Sequence, residues 1–139
     1  MIKVDRTFPA PKSLETEAKK KNGSYTEKDV VDQLLRDFYK KCYICEINDL
    51  QDPQVEHLLP HKNGKYPERK YDWNNLFLSC AHCNNTKLGK YDPILDCTKE
   101  AVDEKIRFRK EGFFGRKEEF VFEALDSNEE TQNTVNLLR

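Results

Sequence analysis

The paired cysteines of CYIC (Cys42 and Cys45) and CAHC (Cys80 and Cys83) constrain the fold of this chain more than any other feature. Four thiolates at two identical short spacings suit a tetrahedral zinc ion, which would clamp two distant points of the chain together. The 34 residues between the hooks exceed what a compact zinc ribbon needs, so further structure must be built inside the clamp. Such a staple is useful here. At 139 residues the chain is the size of one domain, yet only 37% of it is hydrophobic and 35% is charged. The opening MIKVDRTFPAPKSLE has no apolar signal-peptide stretch, and no run approaches the roughly 18 apolar residues of a membrane span. A cytoplasmic setting is therefore expected, where disulfides are rare and metal ligation is the better use of the four cysteines. Cys97, in ILDC, has no partner at metal spacing and reads as buried filler. His82, inside the second hook, reads as exposed, with exchange for one cysteine ligand as the alternative.

Around the hooks, hydrophobic periodicity predicts a mixed α and β chain. TEKDVVDQLLRDFYKK places Val30, Val31, Leu34, Leu35 and Phe38 at helical spacing, with Thr26 as a candidate N-cap and Lys40 and Lys41 at the C-terminal end. QVEHLLP suits a short strand ended by Pro60, and NLFLSC a buried strand. HKNGKYPERKYDW between them has the composition of a loop. A short helix starting near Asn84, capped by Asn84 or Asn85 and ending close to Gly89, is expected after the second hook. KEAVDEKIRF reads as a helix running into a strand, EEFVFEAL as a strand or helix, and NEETQNTVNLLR as a terminal helix.

Chemistry-bearing residues collect inside the clamp. EHLLP carries Glu56 and His57, NNLFLSC opens with Asn74 and Asn75, and CAHCNNTK carries Asn84, Asn85 and Lys87. By itself His57 reads as a core histidine. HLLPH is not a helical zinc-binding pair, because Pro60 breaks the helix that would put both imidazoles on one face. Taken jointly, the hook, the acid–histidine pair before a proline, the asparagine before an apolar strand, and the second hook with its asparagine nine positions after Asn75 resemble the HNH endonucleases. Residues 42 to about 90 carry that resemblance. A narrower likeness, in YDWNNLFLSCAHCNNTKLGKYDPILDC, IRF and TQNTVNLL, is to the HNH members of Septu-type and retron-associated anti-phage defence systems.

The resemblance implies an α+β fold: a ββα-metal core clamped by a four-cysteine zinc site, with flanking helices. It implies three segments, an N-terminal arm and loop at 1–24 available for partner docking, the nuclease domain at 25–110, and an extension at 111–139 that packs on the domain or docks a partner. His57 would be the general base of phosphodiester hydrolysis, its ring held by Asn75 through a side-chain or backbone carbonyl. Glu56 and Asn84 would hold catalytic Mg²⁺ or Mn²⁺, and Lys87, His61 and Lys62 would contact substrate phosphate. Asn85 in place of Asn84, and Asn74 in place of Asn75, remain open at this level. Glu56 stands where the family more often has aspartate, and Asn84 where it more often has histidine. The substrate would be DNA or RNA, and the partner an ABC-type ATPase of the same defence system.

Charge fits dependence on a partner. The chain carries a net charge of −1, and the surplus of bases lies in residues 57–110, with eleven basic against seven acidic groups. So small a surplus predicts weak binding to nucleic acid by the chain alone. A zinc-held nucleic-acid-binding or adaptor module that makes no cut is the competing reading.

Overall fold

A computed structural model describes residues 1–63, 65–112 and 117–139. In chain order the described elements are α1 (Lys12–Ala18), α2 (Lys28–Asp37), β1 (Gln54–His57), α3 (Pro67–Lys70), β2 (Leu76–Ser79) and α4 (Ala81–Lys87), then β3 (Ile106–Glu111), β4 (Glu119–Ala124) and α5 (Glu129–Leu138). Single 3₁₀ turns at Trp73–Asn75 and Val102–Glu104 precede β2 and β3. The fold class is α+β as expected, with β1, β2 and α4 forming a ββα unit between and after the cysteine hooks.

β1 and β2 pair antiparallel, with Val55 opposite Leu78 and His57 opposite Leu76. All four residues of β2 are buried, which explains why NLFLSC is a continuous apolar run rather than an alternating one. Phe77 packs against Phe38, at 5.6 Å between ring centroids, and against Tyr43, at 4.8 Å. The first hook covers the remaining edge of β2: the Tyr43 N–H donates to the Leu78 carbonyl at 2.9 Å. From the other side α2 contributes Val30 and Leu34, one helical turn apart and fully buried. At its end Tyr39 and Lys40 take positive φ values of 55° and 59°, turning the chain into the first hook.

Several local expectations shift. The N-cap position of α2 is Glu27, not Thr26, and no side chain caps it. α4 begins at Ala81, three residues before Asn84, because the Cys80 sulfur takes the capping role and accepts from the Cys83 N–H at 3.4 Å. Asn84 and Asn85 therefore lie inside the helix. The loop HKNGKYPERKYDW contains the single turn α3, with Pro67 at its start. KEAVDEKIRF yields only a 3₁₀ turn before β3, and EEFVFEAL is a strand.

The N-terminal segment is extended as far as Pro11 but is not a free arm, since α1 lies within it and Val4 and Leu14 are buried. The Val4 N–H donates to the Cys97 carbonyl. The Arg6 guanidinium sits 5.0 Å from the Trp73 ring centroid and 4.9 Å from that of Phe77, and donates to the carbonyls of Trp73 and Leu76. Ile2 and Phe8 stay exposed. In the C-terminal extension, Asn133 and Thr134 of α5 bond the backbone of Pro93 and Leu95, and Val135 and Leu137 join the common core. Residues 113–116 of that extension lie outside the described residues. Cys97 is fully buried, and burial pushes its thiol up to about 12, in keeping with a filler role.

Candidate active site and metal centre

The four hook cysteines converge, with all four sulfur atoms within 4.8 Å of one another. The Cys45 and Cys80 sulfurs are 3.8 Å apart, against an edge of about 3.8 Å for a tetrahedron with Zn–S bonds of about 2.3 Å. The donor set thus fits structural zinc. His82 is exposed and is not part of this cluster.

Beside the ββα unit a cleft of about 770 Å³ is lined by Glu56, His57, His61, Lys62, Asn84, Lys87 and, from the chain after α4, Asp92. Helical spacing puts Asn84 and Lys87 on one face of α4. Asn85 is exposed and does not line the cleft, whereas Asn84 does. Adjacent strand residues Glu56 and His57 share the cleft because β1 ends at His57, so its last two side chains flank the strand end.

His57 is held from the loop side. Its Nε2 lies 3.0 Å from the Lys70 carbonyl, which can only accept, so Nε2 carries the proton and Nδ1 the lone pair. Tyr25 and His61 stand edge-on to the ring at 4.5 and 4.7 Å. Burial lowers its pKa to about 4, leaving it neutral at physiological pH. The expectation that Asn75 holds the imidazole is corrected. Asn75 is buried, whereas Asn74 is exposed. The Asn75 side chain accepts from the Leu59 N–H at 2.8 Å and donates to the carbonyls of Leu59 and Arg69. It pins the loop whose next residue, Lys70, supports the ring. The support is one step removed: the Asn75 carbonyl accepts from the Leu58 N–H, while the ring Nε2 faces the Lys70 carbonyl.

Lys87 differs from its expected role most. It is 1% exposed, and its ammonium meets Glu56 Oε1 at 3.0 Å, Asp92 Oδ1 at 2.9 Å and the carbonyls of His57 and Leu58 at 3.2 and 3.1 Å. With four oxygens around it, the group is an interior cross-link rather than a surface contact for phosphate. The second oxygen of Glu56 accepts a short hydrogen bond from the Tyr43 hydroxyl. Burial raises the Glu56 pKa and the Lys87 charge opposes that shift, while burial and the neighbouring Glu56 raise that of Tyr43.

Asp92 went unnoticed in the sequence, where YDP signals only a turn. Both of its carboxylate oxygens are buried and receive no hydrogen bond from the described residues, apart from the ion pair with Lys87. Glu56, Asp92 and the Asn84 amide are oxygen donors of the kind a hard divalent cation takes, and all three line this cleft, with the Lys87 ammonium bridging the two carboxylates.

Residues 42–89 match the family described as HNH endonuclease. The chain is also similar to the Septu protein PtuB of Bacillus mycoides (strain KBAB4), at 32% identity over 84 residues, covering 51% of this chain and 28% of that protein. The chain thus spans little more than a quarter of that relative's length. No solved structure gave a significant match.

Proposed function

We propose, from the match of residues 42–89 to the HNH endonuclease family, that this protein is a metal-dependent endonuclease that hydrolyses phosphodiester bonds, of DNA by preference. We propose further that it acts in the cytoplasm as the effector of an anti-phage defence complex with an ABC-type ATPase. The observation that carries the catalytic reading is His57. Its ring is neutral, its Nε2 proton is committed to the Lys70 carbonyl, and its basic Nδ1 is left for a water proton. A bound Mg²⁺ or Mn²⁺ would supply charge neutralisation at the scissile phosphate and its departing oxygen. Asn84 and Glu56 are the residues to hold it, with Asp92 in the same cleft. Lys87 and Tyr43 hold the Glu56 carboxylate in one orientation. His61 and Lys62, at the rim, are the phosphate contacts of this reading.

One observation favours the adaptor reading: both Glu56 oxygens already have partners inside the protein. A single variant separates the two. His57→Ala should lower cleavage by about 10²–10⁴ in assays with Mg²⁺ or Mn²⁺ and the ATPase present, while zinc content and circular dichroism stay as in the wild type. Cleavage at the wild-type rate would remove His57 from the reaction, and wild-type protein that never cuts under these conditions would establish the adaptor.

A further inference from the structure

The loop between β1 and β2 carries His61, Lys62, Lys65, Arg69 and Lys70 against two carboxylates, Glu68 and Asp72. None of Lys62, Lys65, Arg69 and Lys70 forms an ion pair with any described acidic residue. The β3–β4 ribbon differs. There Arg107 and Arg109 pair with Glu123, Lys110 with Glu118, and Lys117 with Glu119. Unlike those of the ribbon, the cations of this loop keep their charge for something outside the protein.

The same cations are gathered rather than dispersed. Arg69 lies 4.0 Å from the Tyr66 ring centroid, and the ammonium groups of Lys65 and Lys62 lie at 5.5 and 5.8 Å from it. Arg69 is fixed by a bond from Nη1 to the Pro60 carbonyl at 3.2 Å. Its guanidinium covers one face of Tyr66, so the ring serves as a support for charge and offers that face to no base. Lys62 and Arg69 reach the cleft that holds His57, and the loop backbone is pinned by Asn75 and touches the imidazole through Lys70.

We propose that Lys62, Lys65 and Arg69, grouped on Tyr66, are the cleft's grip on a nucleic-acid backbone, taking neighbouring phosphates of one strand and laying the next beside His57. The assignment rests on the nuclease reading of the cleft and adds the binding surface, which lies on the loop rather than on α4. Phosphate contacts of this kind are indifferent to base sequence and strongly dependent on salt.

The test uses the full chain carrying His57→Ala, which binds without cutting, and a fluorescein-labelled DNA duplex titrated at several KCl concentrations. Lys62 and Lys65 are exposed and make no ion pair, so K62A/K65A should fold as before. Loss of two phosphate contacts should reduce the slope of log affinity against log salt by about 1.8, at about 0.9 per contact, and K62R/K65R should restore it. An unchanged slope, or no binding of DNA even at low salt, overturns the proposal. So does poly-glutamate that binds as tightly as the duplex and loses the same slope, which would assign the loop to an acidic protein partner. If the slope falls as expected but His57-intact protein with Mg²⁺ or Mn²⁺ never cuts, the grip stands and the nuclease reading fails.

Discussion

Lys87 and His57 illustrate how burial converts familiar side chains into different devices. A lysine three positions after a candidate metal ligand invites a phosphate-binding role, yet here its ammonium bridges Glu56 and Asp92 in the interior. Removing one partner of a buried ion pair leaves uncompensated charge, at a cost of about 3–5 kcal/mol. Lys87→Met should therefore destabilise the zinc-loaded protein by about that much in urea denaturation. Unaltered stability with weakened DNA binding would return Lys87 to the phosphate role. His57 makes a prediction about pH. Its pKa is depressed from 6.5 to about 4, so the native state favours the neutral ring. The stability this contributes is present above about pH 6.5 and is lost as pH falls toward 4. The basic nitrogen likewise survives into acid. The acid limb of the cleavage rate profile should have its midpoint near 4, and a midpoint near 6.5 would show the ring to be solvated.

The β1–β2 loop depends on one side chain for its shape. Asn75 satisfies the Leu59 N–H and the carbonyls of Leu59 and Arg69, three backbone groups with no strand ladder to use. Leaving a buried polar group unpaired costs about 1–3 kcal/mol. Asn75→Ala should lower stability by about 2–4 kcal/mol and speed amide exchange at Leu59, while the core strand amide of Leu78 keeps its protection. If Leu59 exchange is unchanged, the loop is held by something other than Asn75. α4 shows the same economy at a helix end. Cys80 serves both as a cap for the Cys83 N–H and as a member of the four-sulfur cluster, so a metal at the hooks also orders the helix that presents Asn84.

Across the whole molecule, the cysteine cluster joins segments that a small core alone would hold loosely. The first hook lies along β2, the second begins α4, and the N-terminal segment and α5 close over the same core. Structural zinc contributes on the order of 10–16 kcal/mol in small peptides, comparable to the entire stability of a domain. Cys42→Ser, or removal of the metal by a strong chelator, should unfold the chain as read by circular dichroism, and re-addition of Zn²⁺ should refold the chelated wild type. Retention of structure after verified metal loss would show that the core is sufficient. The sequence alone determined the clamp, the two strands and the helix α2, because ligand spacing and hydrophobic period are written locally. Tertiary structure decided which asparagine faces the cleft, that Lys87 turns inward, that Lys70 rather than Asn75 meets the imidazole, and that Asp92 lines the same cleft. Those outcomes depend on burial and on partners distant in the chain, and neither has a local signature.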